Sequence, residues 1–469
     1  MTGVVTPPTA IETASRPGLV IAALGFCAGL VSITQTMALP LLAQLPDQLH
    51  SSVGDVSWVA TSTLLAGAVS NPVLGRLGDM YGKRRLLLIS MLALVLGSAV
   101  AALASDLPVL VLGRTLQGFS VGVIPLGISI ARDALPARRV NGGIALVSAT
   151  LGIGSGLGLP LAGLLLGAFD WHVLFWVSCA LSVVGWLLAR AWLPESGVHS
   201  RGPFDVLGAV WLSVLLVLVL LPVSKAPSWG WVRPLPLAMF LTAIVGGALW
   251  VRYESRCPAP VVDVRVMRRR TVVLANLAGL LLGFGMFANV FVSIQLLQLS
   301  REVKHGFGAS TSLAGVVLLP GALAMVLTSP VSATITTRFG GRRSLLTGSL
   351  VVALSYGIRP FLLGSLFAVG LGVTLVNLGV GIAYGALPAV IMADVPRSDT
   401  GSANSVNALA RVTGASLGSA GVAAALGSIT VVVAGTRYPG LAAFRLILVM
   451  AAVGALLAAG VAYLLPRRS

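Results

Sequence analysis

The sequence predicts an all-α integral membrane protein that crosses the bilayer many times, and three observations carry that prediction. Of its 469 residues, 57% are hydrophobic and only 10% are charged, where a soluble chain carries about 25% charged residues. Mean hydropathy is +0.97. The apolar residues also gather in runs of about 20, the length a helix needs to cross the hydrocarbon core. Short gaps between the runs hold almost all of the Lys and Arg.

Fourteen spans are expected. The first six are Leu19–Leu41, Val56–Leu74, Leu86–Leu103, Leu107–Ile130, Ile144–Phe169 and Val173–Leu193. Two follow, Val206–Val223 and Leu235–Val251. The last six are Val272–Leu299, Leu313–Ile335, Leu345–Ile358, Leu362–Met392, Val406–Val433 and Leu441–Leu465. Arg359-Pro360 interrupts the eleventh early.

The basic residues orient these spans. With the N-terminus in the cytoplasm, 22 of the 31 Lys and Arg fall on the inner side. Seven fall outside or at the outer rim, Lys225, Arg233 and Arg359 among them, and two, Arg114 and Arg411, fall within spans. That bias is the positive-inside pattern, and it puts both termini in the cytoplasm.

The chain also repeats itself. Asn71–Arg85 (NPVLGRLGDMYGKRR) has a counterpart in Ser329–Arg343 (SPVSATITTRFGGRR), with Pro72, Gly82 and Arg84-Arg85 matching Pro330, Gly340 and Arg342-Arg343. Asp133 to Pro136 and Asp394 to Pro396 form a looser second pair. Such repeats are common in transporters, with substrate sites at the repeat interface near the midplane. The expected organisation is a cytoplasmic tail over 1–18, a six-helix bundle over 19–195 and a second over 271–469. Two linker helices with flanking cytoplasmic loops occupy 196–270.

Composition excludes other classes. The net charge of +17 forms no continuous basic face, so no nucleic-acid partner is expected. Cys27, Cys179 and Cys257 are isolated, which suggests neither a disulfide framework nor a metal site. No nucleophile motif, clustered His/Asp/Glu set or phosphate-binding loop is visible, so neither an enzyme nor an ATP-driven pump is expected. No cofactor is expected. Leu19 onward reads as a first span rather than a cleaved signal.

Three motifs carry function. In Gly75–Arg85, the glycines Gly75, Gly78 and Gly82 allow a tight turn with close helix approach. Asp79 suits a helix N-terminus, and Lys83, Arg84 and Arg85 anchor the loop inside. In Arg114–Gly118 (RTLQG) an arginine sits at membrane depth, where charge is costly and usually faces a cavity or a partner. Snorkelling to the outer surface is the competing explanation for Arg114. In the fifth span, Gly152, Gly156, Gly158, Pro160 and Gly163 offer a small-residue face for helix packing.

Gly75–Arg85 resembles the signature loop between helices two and three of the major facilitator superfamily. The resemblance implies a major facilitator fold of two six-helix bundles, plus two extra central helices. It also implies a charge relay at Asp79 that stabilises an outward-open state and breaks during the switch. Arg114–Gly118 resembles the helix-four motif of proton-coupled facilitators. Thr150–Gly163 resembles the antiporter motif of drug exporters, although its Gly-Pro pair appears as Leu159-Pro160. With DWHVLFW before span six, LPES after it and RSDTGSANSVNALARVTGASLG entering span thirteen, the whole resembles the fourteen-helix drug:proton antiporters of the EmrB/QacA type.

That resemblance implies a secondary transporter in a bacterial inner membrane. It would export amphipathic drugs or related metabolites by alternating access, in exchange for protons, and a monomer would suffice. An importer of a small metabolite and a non-transporting sensor or assembly subunit are the alternatives. The chain departs from this branch in one respect. Val31 stands where many members have a helix-one Asp before Ala38–Pro40, and all fourteen Asp and Glu fall in loops or at span ends. The proton-coupling candidates are therefore Arg114, Asp133 and His172, with Asp79 and Asp170 beside them. Candidate cavity residues are Gln35, Gln117, Asn289, Gln295 and Arg411, with Asn276, Gln298 and Asn377 also available to a cavity. A cavity without acids favours neutral or weakly acidic substrates.

Overall fold

The computed structural model describes residues 16–43, 45–195, 203–230, 233–433 and 435–466. Its main helices are α1 (Pro17–Met37), α2 (Trp58–Tyr81), α3 (Lys83–Ala102), α4 (Leu107–Gly118), α5 (Val123–Ala134), α6 (Ala137–Ala168) and α7 (His172–Trp192). Then come α8 (Val206–Trp229), α9 (Pro234–Glu254), α10 (Arg270–Gln298), α11 (Thr311–Leu327), α12 (Ser329–Phe339) and α13 (Gly341–Ile358). The last are α14 (Leu366–Met392), α15 (Thr400–Ser428) and α16 (Leu441–Tyr463). A 3₁₀ turn, Phe119–Gly122, joins α4 to α5 as one rod, and α12 continues α11 beyond Thr328.

Among the described residues, 11 helical stretches are long and apolar enough to cross a membrane. The helices α2 and α13 are not among them, and their sequences say why. Arg76, Asp79 and many Ser and Thr dilute α2, and Arg342-Arg343 open α13. In α6 the stretch Leu157–Ala168 is apolar.

The repeat is visible in the backbone. Gly82 and Gly340 each end one helix and begin the next, with φ of +107° and +84°. A side chain at either position would be strained, because only glycine tolerates such φ cheaply.

Two apolar cores result. Leu24, Leu87, Met91 and Leu126 centre the first, and Leu282, Tyr356, Leu387 and Phe444 centre the second. The outward faces stay apolar, with Leu241, Ile244 and Leu354 exposed, as a lipid-facing surface requires. The two bundles meet along α6 with α11 and α2 with α15, and α8 lies against the α2–α15 seam.

One expectation is corrected. The span expected to end at Val433 stops at Ser428, and Thr430–Val433 pairs antiparallel with Thr436–Pro439. A β-branched run followed by a glycine turn, Gly435 at φ +80°, favours a hairpin over one more helical turn. Arg359, expected outside or at the outer rim, is wholly buried among protein side chains. Lys225 lies near the end of α8, buried, with Nζ 2.5 Å from Ser57 Oγ.

Candidate functional site: a charged latch and three buried arginines

The loop Gly75–Arg85 builds a latch between the bundles. Asp79, at the end of α2, is wholly buried. Its Oδ1 accepts from Gly401 N at 3.0 Å and its Oδ2 from Ser402 N at 2.8 Å. These are the free N–H groups of the first turn of α15, where a carboxylate is stabilised by hydrogen bonds and by the helix dipole. Lys83, also wholly buried, donates from Nζ to Asp133 Oδ2 at 2.7 Å and to Thr400 Oγ1 at 2.8 Å, with Asp79 Oδ1 at 3.6 Å. Arg76 pairs with Asp399 at 3.8 Å. Arg132 donates to the carbonyls of Met392 and Val395 at 2.7 and 3.3 Å. Charge buried at this depth persists because every member is paired.

Glycine permits the approach. A Cβ at Gly75 would lie 2.3 Å from Ser405 Oγ and 2.7 Å from the Gly401 carbonyl oxygen. At Gly78 it would meet Leu126, and at Gly82 the Glu195 carboxylate. The four basic residues of the loop divide their roles. Arg76 and Lys83 make the latch, Arg84 donates to the Arg190 carbonyl of α7 at 2.6 Å and, from its backbone N, to Glu195 Oε1 beyond that helix at 3.2 Å, and Arg85 is exposed.

The loop after α9 reinforces the same seam. Ser402 Oγ donates to the Val261 carbonyl at 3.2 Å, and Val262 N donates to the buried Glu254 Oε1 at 2.8 Å. In the second repeat Thr337 stands where the first has Asp79. It receives only a neutral hydrogen bond, from Asn141 Nδ2 at 3.1 Å, so the latch is charged on one side of the repeat alone.

Arg114 does not snorkel. It is 2% exposed and donates to the Val59 and Thr34 carbonyls at 3.2 and 3.3 Å and to Gln117 Oε1 at 2.7 Å. Gln117 Nε2 continues to Ser98 Oγ at 2.8 Å. The second bundle has its own buried cation. Arg359 donates to Asn289 Oδ1 at 2.5 Å and to Ser293 Oγ, and Asn289 Nδ2 donates to Asn377 Oδ1 at 2.9 Å. Asn289 is thus a partner of an arginine rather than an isolated polar group. Arg411 is buried over the Tyr384 ring, with Cζ 5.0 Å from its centroid. Gln35 is half-buried and Gln295 exposed.

His172 Nδ1 pairs with Asp170, and its Nε2 lies 3.0 Å from the Ala104 carbonyl. Asp170 titrates below the usual carboxylate range. Its limited burial pushes the value up, but the hydrogen bonds and charge of His172 outweigh that. On α6, a Cβ at Gly158 would strike Thr36 Oγ1 and one at Gly163 would strike Ser312, while Pro160 packs on Gly315. The glycine face therefore joins α1 and reaches across to α11. Gly152 and Gly156 belong to the same helix. Thr400, Gly401 and Ser402 carry no signal of their own in the sequence, and their role becomes visible only once α2 and α15 meet.

Two helical bundles latched at one end, with an apolar exterior and polar groups buried between the helices, define a polytopic membrane transporter rather than an enzyme. The model of the Major Facilitator Superfamily matches residues 24–419, and the chain belongs to that family. It is 28% identical over 424 residues to the tetracenomycin C resistance and export protein of Streptomyces glaucescens, covering 88% of this chain and 76% of that protein. It is 30% identical over 430 residues to the multidrug efflux pump LfrA of Mycolicibacterium smegmatis, covering 88% and 81%. The human organic anion transporter MFSD10 superposes with a TM-score of 0.67 at 16% identity, over 97% of this chain and 100% of that one, a likeness of fold.

Proposed function

We propose that this transporter exports amphipathic drugs or related metabolites across a bacterial cell membrane by alternating access, in exchange for protons. The latch at Asp79 is the observation that carries the proposal. It closes one end of the molecule with contacts between the bundles, which is what one state of an alternating-access cycle requires. The export and efflux proteins of similar sequence support the direction. The positive-inside bias of the loops supports a cytoplasmic latched end and cytoplasmic termini, and on that reading this state faces outward. On this reading α2, α6 and α13 also span, giving fourteen spans, with α8 and α9 as the linker pair between bundles 19–195 and 271–469.

Asp133 is the proposed proton carrier. It is buried against Lys83 while the latch is closed, and breaking the latch would expose it to the cytoplasm. The test is drug-dependent pH change in inverted vesicles. Export with proton movement is expected from the wild type, and uncoupled or absent proton movement from Asp133→Asn. Accumulation of substrate by energised whole cells would overturn the export direction.

A further inference from the structure

Arg411 lies eleven residues into α15, roughly 16 Å along a helix roughly 43 Å long, so it stands near the middle of the span. It is 7% exposed, and its Nη1 has no hydrogen-bond partner. The ion pairs among the described residues do not include it. A cation at this depth is expensive and marks a functional site by default. The Tyr384 ring beneath it compensates only part of the desolvation. Its surroundings are polar and equally unfinished. Asn407, one turn away on the same face, donates from Nδ2 to Asn276 Oδ1 at 3.1 Å, while its own Oδ1 is buried without a partner. A Cβ at Gly279 would lie within 3.4 Å of both Asn407 Nδ2 and Arg411 Cγ, so α10 presents bare backbone to the pair.

We propose that Arg411, Tyr384 and Asn407 form the subsite for the acidic group of an amphipathic weak organic acid, bound as its anion. Arg411 Nη1 donates to the anionic oxygen, the Tyr384 ring packs on the apolar body, and Asn407 Oδ1 accepts from a neighbouring hydroxyl or amide of the ligand. A carboxylate here would serve a cationic drug, and this face holds a guanidinium instead. An inside-negative membrane potential drives such an anion outward by itself, so its export does not require an acid at mid-membrane. The inference rests on the exporter reading and names its substrate class.

The test uses two probes that share one ring system, 2-naphthoate and 2-naphthylmethylammonium, titrated against the purified full-length protein in detergent. The wild type is expected to bind naphthoate at least about tenfold more tightly than the ammonium. Arg411→Gln is expected to lose that preference, Arg411→Lys to keep most of it, and the exposed Arg437→Gln to leave it unchanged. No measurable naphthoate binding, equal or tighter ammonium binding, or an undiminished preference in a folded Arg411→Gln protein would each overturn the subsite. Should cells expel cationic drugs while the naphthoate preference is absent, export stands and the subsite falls. Naphthoate binding through Arg411 in a protein that expels nothing leaves the subsite standing and removes the exporter reading.

Discussion

Asp79 of the first bundle caps the helix that opens at Thr400 in the second, with its two carboxylate oxygens 3.0 and 2.8 Å from the backbone nitrogens of Gly401 and Ser402. Both partners are buried, so the contact is worth more than a surface pair of the same geometry. Asp79→Asn keeps the shape but turns an N–H donor toward a backbone N–H. The expected outcome is a latch weakened by about 1–3 kcal/mol. Hydrogen exchange over residues 400–405 should rise accordingly, and export should fall. Unchanged exchange there would show that the cap contributes nothing to closure.

Lys83 is shared between two acids, with Asp133 at 2.7 Å and Asp79 at 3.6 Å. Removing the cation strands buried negative charge, which typically costs about 3–5 kcal/mol. Lys83→Met is therefore expected to lower the unfolding temperature of the purified protein. Adding Asp133→Asn to that variant removes one stranded charge and should recover part of the loss. A double variant no more stable than Lys83→Met would sever Asp133 from the network.

Gly75 tests the geometry without touching charge. A methyl group there would overlap Ser405 Oγ and the Gly401 carbonyl, and backbone on the facing helix cannot step aside cheaply. Gly75→Ala is expected to cost about 1–3 kcal/mol and to reduce export severely while membrane insertion is kept. Gly142→Ala, where nothing lies within 4 Å, is the matched control and should behave as wild type in both assays.

The latch loop was legible in the sequence because its signals are local. Glycines, one acid and four basic residues fall within eleven positions, and each type has a stated role in a turn. Arg114 was legible as an intramembrane charge, but whether it snorkelled depended on Thr34 and Val59, which approach it from other helices. The sequence marks Arg359 only as a charge beside Pro360 at the end of a span, and packing against α10 buries it on Asn289. The hairpin was hidden because Val431–Val433 continue an apolar run, and short apolar runs do not distinguish helix from strand. Asn407 showed no signal at all. A polar residue at one helical position declares its surroundings only when the opposing helix is in place.

Asp170 and His172 were candidates for coupling, and the pair predicts its own pH behaviour. The carboxylate sits below its usual 3.8, held there by His172 against a small opposing effect of burial. A depressed carboxylate contributes its stabilisation above the unfolded pKa and loses it as pH falls through the lower folded value. Between about pH 5 and 8 Asp170 therefore stays ionised on both sides of any transport cycle that keeps this contact. It is largely exposed, so the pair is worth no more than about 1 kcal/mol. Asp170→Asn is expected to leave the pH profile of export unchanged over that range and to alter stability only slightly. A profile flattened near neutrality by Asp170→Asn would return this pair to the coupling pathway, and would count against Asp133 in the latch.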